Sequence, residues 1–444
     1  MDFLLQMLQD PNVQWVLIGT SLLGIASGVL GSFALLRKQS LLGDAMAHAA
    51  LPGICIAFLI YGAKSMSWFM IGAALSGLIG TYCIQAIIKH SRIKEDTAIG
   101  LVLSVFFGLG ITLLTYIQQL GKGNQAGLDS FIFGQAASIV GSDVNIITTV
   151  SIILIATTIL LFKELKLITF DAQFAQGIGL PVKWLNGLLM TLIVCAVVIG
   201  LQAVGVVLMA AMLITPAISA RYWTERLDYM VIISGVIGGV SGVIGTLLST
   251  LTRGMPTGPL IILAATMMFL FSLLFGVKRG VLFQAYKLLM VRKQVVLENI
   301  LTSLYNETEK SLASSNCIGV VNIKESENSL FTPFIYKRLM KEKLISIDEN
   351  YQIYLTEKGL FIAHEIVLKE RLLDMYLMNE SQFPELNWRE SGYNVLNEPK
   401  ELIQQLTHLL KEFGREPIAL SLYQLKNSKE RNYQMISKRE AGHS

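Results

Sequence analysis

Residues 184–220 read WLNGLLMTLIVCAVVIGLQAVGVVLMAAMLITPAISA, 37 positions without a charged side chain. A single helix of that length would run about 55 Å at 1.5 Å per residue. The hydrocarbon core of a bilayer is only about 30 Å thick. The run is therefore two crossings, turning near Gly200 and Gly205. Six more uncharged runs are long enough to cross: residues 13–36, 66–88, 97–117, 144–162, 229–251 and 255–277. Residues 41–61 are also mostly apolar, but contain Asp44, His48 and Pro52. Together these predict nine spans, with eight as the alternative if one run is re-entrant. Residues 128–140 are too short to cross and are expected to lie at the surface or re-enter.

Composition agrees. The chain has 444 residues, 53% hydrophobic and 15% charged, against about 25% charged in a soluble domain. Its mean hydropathy is +0.55. Residues 1–277 hold 24 charged side chains, and the remaining 167 residues hold 44. The first part is greasy and the second normally charged. A single soluble enzyme and a fibrous or disordered protein are excluded. The net charge of +4 is too small to imply a polyanionic partner. The N-terminus carries Asp2 and Asp10 without a basic cluster, so a cleaved signal peptide is not expected. The cysteines Cys55, Cys83, Cys195 and Cys317 form no CxxC pair; core thiols are expected.

Basic residues gather around residues 37–38, 89–94, 163–183, 221–226 and after 278. Alternating crossings place all five groups on one side, the cytoplasm. The expected fold is an all-α polytopic membrane protein over residues 1–280, followed by a cytoplasmic domain over 281–444. Small residues recur at Gly24, Gly28 and Gly31 and at Gly235, Gly238, Gly239, Gly242 and Gly245. That spacing permits close helix contact in lipid.

Ionisable groups within the spans are few, and two stand together. Asp44 and His48 lie in GDAMAHAALPG, residues 43–53. Four residues apart on a helix, they share one face. A carboxylate and an imidazole can ligate one divalent cation, with manganese, zinc or iron suited to the pair. The bland alternative is Asp44 as a helix cap with His48 bonded to it. Two ligands are too few for a closed site; the rest would come from a second subunit, other spans or water. No GxxxxGK[ST], HExxH or Ser/His/Asp pattern occurs, so the chain is not expected to be an enzyme or to hydrolyse ATP itself. Two segments could contact a partner: residues 170–181 and residues 214–226, the latter joining two spans.

The stretch RKQSLLGDAMAHAALPG (residues 37–53) resembles the signature of bacterial ABC-type manganese/zinc/iron permeases. GVVLMAAMLITPAISA (205–220) and residues 170–180 are similar to that family as well. The resemblance implies two permease copies, identical or paralogous, around a central pathway, an ATP-binding cassette subunit below and an extracytoplasmic metal-binding protein outside. It implies that Asp44 and His48 are the metal ligands of the pathway. It also implies ATPase coupling through Thr215, Pro216, Arg221, Trp223, Glu225 and Arg226. The transported ion is cargo, manganese before zinc or iron, and no resident cofactor is expected.

After residue 280 helical periodicity marks residues 291–304 and 362–378. Residues 331–345 read as a helix with Pro333 near its start, and YQIYL (351–355) as a strand. Helix, helix, strand pair, helix is a winged-helix order. Residues 354–377 resemble metal-dependent repressors of the diphtheria-toxin-repressor type, implying a wing strand and a dimerisation helix. The chain departs from that pattern at Glu370, where the repressors have a histidine, and around residues 388–398. No ligand set is carried over. Lys337, Arg338, Lys341 and Lys343 are read as a solvated face, and DNA is not an expected partner. The expected function is the permease subunit of an ATP-driven importer. The alternatives are a membrane-anchored, metal-responsive DNA-binding regulator and a secondary transporter.

Overall fold

The computed structural model describes residues 11–61, 66–119, 141–251, 255–314, 321–322, 332–348, 352–379, 383, 400–421 and 424. The expected surface segment 128–140 lies outside them. The chain divides into two compact units between Ala285 and Tyr286.

The first unit is all helix. α1 (Pro11–Leu36), α2 (Leu42–Tyr61), α3 (Met66–His90) and α4 (Glu95–Gln119) come first. Then follow α5 (Gly141–Leu160), two short helices α6 (Phe162–Phe170) and α7 (Ala172–Gly177), and α8 (Val182–Val204). α9 (Val206–Trp223), α10 (Leu227–Leu251) and α11 (Thr257–Phe275) complete the unit. Among the described residues, eight helices have the length and apolarity to cross a bilayer, and each coincides with an expected run. The 37-residue run is broken at Gly205, whose φ of 94° is a left-handed conformation that glycine adopts without steric cost. The ninth expected span is α9, an 18-residue helix outside those eight.

Packing arranges these helices in two groups. α1, α10, α11 and α5 form one, and α2, α3 and α4 the other; α8 and α9 touch both. The α1–α10 crossing is very close, because a Cβ at Gly24 would collide with the backbone of Gly238, and one at Gly238 with Gly24. Ser234 Oγ donates to Gly28 O across the same crossing, at 2.6 Å. Without a hydrophobic drive between helices in lipid, such contacts carry the association. α9 runs through the middle, bearing Ala217, Ala220 and Ser219 fully buried. By contrast α4 leaves Leu101, Val105, Leu109 and Tyr116 exposed, as a lipid-facing helix does.

The second unit is mixed. α12 (Val281–Ser314) starts before the division. β1 (Val321–Asn322), α13 (Thr332–Lys341), β2 (Ile345–Ile347), β3 (Gln352–Leu355), α14 (Glu357–Met378) and α15 (Lys400–Glu412) follow. The strands are antiparallel in the order β1–β3–β2. Leu301, Leu304, Tyr305, Leu339, Leu344, Ile353 and Leu360 form its core. α14 and α15 pack through Leu372, Tyr376, Leu402 and Leu406. Two boundaries differ from expectation. α12 begins at Val281 rather than 291, because its first ten residues are apolar apart from Gln284 and Lys287 and give no clear helical period. α13 ends at Lys341 rather than 345, since Lys343 adopts a φ of 56° and breaks the helix. Thr356 caps α14, accepting from Gly359 N at 3.0 Å while donating to Lys343 O at 2.7 Å.

Candidate metal pathway

α2 begins at Leu42, which places Asp44 in its first turn and His48 one turn further on. Asp44 thus lies inside the helix rather than at its cap; a carboxylate there is favoured by the helix dipole. The small residues Ala45, Ala47, Ala49 and Ala50 are all buried against neighbouring helices. Asp44 and His48 lie together on the remaining face, which packs only in part. His48 Nε2 stands 3.3 Å from Asp44 Oδ1, with side-chain exposures of 16% and 36%. The imidazole is therefore the deeper of the two. Its ring meets the edge of Phe107 on α4, centroids 4.7 Å apart at 74°. His48 Nδ1 is buried and has no hydrogen-bond partner.

An imidazole Nε2 beside a carboxylate oxygen is chemically suited to a cation, because both can offer lone pairs on one helix face. Among the described residues no group of three or more His, Cys, Asp and Glu side chains comes together. Asp44 and His48 are a pair rather than a closed cluster, and a cation held there would need further ligands, such as carbonyl or water oxygens.

The segment expected to join two spans over 214–226 is mostly helix. Thr215, Pro216, Arg221 and Trp223 all lie within α9, and only Thr224–Arg226 is non-helical. Proline is tolerated in membrane helices, where neighbours satisfy the freed carbonyl. The α9 terminus is pinned to the end of α11. Trp223 Nε1 donates to Ser272 Oγ at 2.9 Å, and Lys278 N and Arg279 N donate to Tyr222 O at 3.1 and 3.3 Å. Glu225 pairs with Arg279 at 3.6 Å, and Arg226 lies 5.0 Å from the Tyr229 ring. In the other segment, Asp171 caps α7 by accepting from Phe174 N at 2.8 Å. α9 itself packs against α2, the helix that carries Asp44 and His48.

Sequence reasoning missed several groups. Phe107 sits in a run whose apolar residues all look alike, so nothing marked it. Lys166 on α6 binds Asp228 on α10 at 2.8 Å, a pairing visible only in three dimensions. Arg37, Gln39, Glu95 and Asn186 converge beside the start of α2. In the sequence Arg37 stands out only as one of the basic residues that set orientation.

A bundle of long apolar helices of this kind defines a polytopic membrane protein. The chain belongs to the ABC 3 transport family, whose sequence profile matches residues 9–276. It is 53% identical over 92% of its length, and 94% of the relative's, to the manganese transport system membrane protein MntC of Bacillus subtilis. It is 45% identical to the zinc transport system membrane protein TroC of Treponema pallidum, over 65% of this chain and 96% of that one. Among solved structures, PsaBC from Streptococcus pneumoniae in complex with Fab matches 63% of this chain and 97% of its own, at 34% identity and a TM-score of 0.55. As a permease subunit the chain is not itself catalytic; ATP hydrolysis belongs to a separate subunit.

Proposed function

We propose that this chain is the permease subunit of an ATP-driven importer for manganese, with Asp44 and His48 as ligands to the ion in transit. The carrying observation is the pair itself, Nε2 and Oδ1 3.3 Å apart on one helix face. Ligand bonds of about 2.0–2.2 Å put neighbouring ligand atoms roughly 3.0–3.5 Å apart on a shared ion, so the pair can bind without rearranging. A carboxylate oxygen suits manganese and an imidazole suits zinc as well, so the choice of manganese rests on the relatives named for it. Relatives named for manganese and for zinc leave both ions to be measured.

In this reading α9 is the ninth crossing, and the basic ends of the spans face the cytoplasm, as does the second unit. A separate ATPase acts on the α9 end, through Thr215, Pro216, Arg221, Trp223, Glu225 and Arg226. Its movement passes along α9 to α2, exposing Asp44 and His48 to one side of the membrane and then the other. An extracytoplasmic metal-binding protein delivers the ion, and a second permease copy completes the pathway. The order helix, helix, hairpin, helix in the second unit supports a winged-helix-like reading of it, with contact to the ATPase or to a second copy as its role. The test is metal-resolved uptake in cells lacking the gene and in cells complemented with it. Manganese uptake restored by the chain, with zinc and iron competing weakly, is expected; restoration of zinc uptake alone would overturn the assignment.

A further inference from the structure

We propose that Arg37, Gln39, Glu95 and Asn186 form a polar clamp that positions the start of α2, and with it Asp44 and His48, for ion passage. The proposal rests on the pathway reading above and adds residues that touch no ion themselves.

The connection between α1 and α2 is short, and α2 carries Asp44 in its first turn. Two side chains of that connection reach to different helices. Arg37 Nη2 donates to Asn186 Oδ1 on α8 at 2.6 Å. Gln39 Nε2 donates to Glu95 Oε1 at the start of α4. Both helices pack against α2. α4 sets Phe107 against His48, and α8 turns at Gly205 into α9. The clamp therefore joins α2 to both neighbours at the end nearest Asp44.

Burial separates this cluster from an ordinary surface turn. Gln39 is only 5% exposed, and burial pushes the Arg37 guanidinium below its usual range while the Glu95 charge pulls it back up. Gln39 Oε1 and Arg37 Nη1 are buried without hydrogen-bond partners. A buried polar group left unpaired costs free energy, so the present pairing is not the best these four side chains could make. Glu95 is spent on neutral Gln39 although it attracts Arg37. A direct Arg37–Glu95 pair is a second arrangement of the same groups, and two competing arrangements are what a moving element requires.

The test exchanges the partners in the complete importer, in cells, with each variant quantified in the membrane by immunoblot and manganese uptake expressed per copy. Gln39→Glu sets two carboxylates together; uptake per copy is expected to fall about tenfold, the scale of one lost buried bond. Gln39→Glu with Glu95→Gln restores one donor facing one carboxylate and is expected to recover most of the rate. Wild-type uptake by the single variant, or a double variant no better than it, overturns the proposal. A role in folding alone would lower the amount of protein rather than the rate per copy. Should Gln39→Glu not reach the membrane, Glu95→Gln must transport at least about threefold better than Glu95→Ala, because only Gln keeps the acceptor; equal rates overturn the clamp. Asp44→Ala is measured alongside: wild-type uptake there would overturn the pathway reading, whatever the exchange shows.

Discussion

Asp44 and His48 are held by opposite arguments. A carboxylate in the first turn of a membrane helix carries a desolvation cost, smaller there than at the bilayer centre, and the buried, unpaired His48 Nδ1 costs about 1–3 kcal/mol. A cap or a packing role needs neither cost, and Asp44 lies past the cap position. An ion held between Asp44 Oδ1 and His48 Nε2 offsets the first of these, while Nδ1 lies on the other side of the ring. Asp44→Asn keeps the shape and an oxygen but removes the charge, so the apparent KM for manganese should rise at least about tenfold with little change in the amount of protein; an unchanged KM would show that the charge is not used. The i,i+4 spacing of this pair was legible in the sequence, as its 3.3 Å contact bears out. Phe107 and the Arg37 cluster were not, because each depends on which helices become neighbours, and uniform apolar runs carry no address for that.

At the scale of elements, the spans were legible because length and missing charge alone decide them. Each of the eight long apolar helices falls on an expected run, and the 37-residue run breaks at one of the two glycines named for it. The pattern of residues 214–226 points to a short segment joining two spans, since proline and charge punctuate it. α9 instead continues through Pro216 to Trp223, since lipid leaves the backbone no better partner than its own helix. The α1–α10 crossing gives the clearest prediction here. Gly24→Val places a branched side chain against the Gly238 backbone, and overpacking costs about 1–3 kcal/mol or more. The variant should show a lowered melting temperature in detergent, whereas Gly100→Val, where a Cβ would meet nothing, should not. Equal melting temperatures would mean the crossing tolerates separation.

On the scale of the whole molecule, the sparse charges of the first unit and the dense charges of the second follow their solvents. Within the second unit the polar groups are organised too. Tyr305 Oη and His364 Nδ1 lie 2.8 Å apart, and burial pushes the phenol up to about 12. Arg371 binds Glu309 at 2.5 Å and Arg415 O at 3.1 Å. Ile418 N donates to Glu309 at 2.8 Å, so residues 415–418 are tied to α12 and α14. Burial lowers the His364 pKa from its ordinary 6.5, with Glu309 and Glu416 opposing. The unfolded chain then binds more protons than the folded one below that value. Stability is complete above pH 6.5 and is lost as pH falls toward the folded pKa. Hydrogen exchange of α14 in the full chain should therefore quicken, after correction for intrinsic rates, between about pH 7.5 and about pH 5.5. His364→Gln should remove that dependence, and its persistence would assign the effect to another group.

The account as a whole stands on the ion passing Asp44 and His48. The most direct measurement is manganese uptake by cells carrying Asp44→Ala or His48→Ala, with permease and ATPase co-purified from the same cells to establish assembly. The account predicts assembled complexes at wild-type yield with uptake reduced to that of cells lacking the gene. Wild-type uptake by both variants would contradict it.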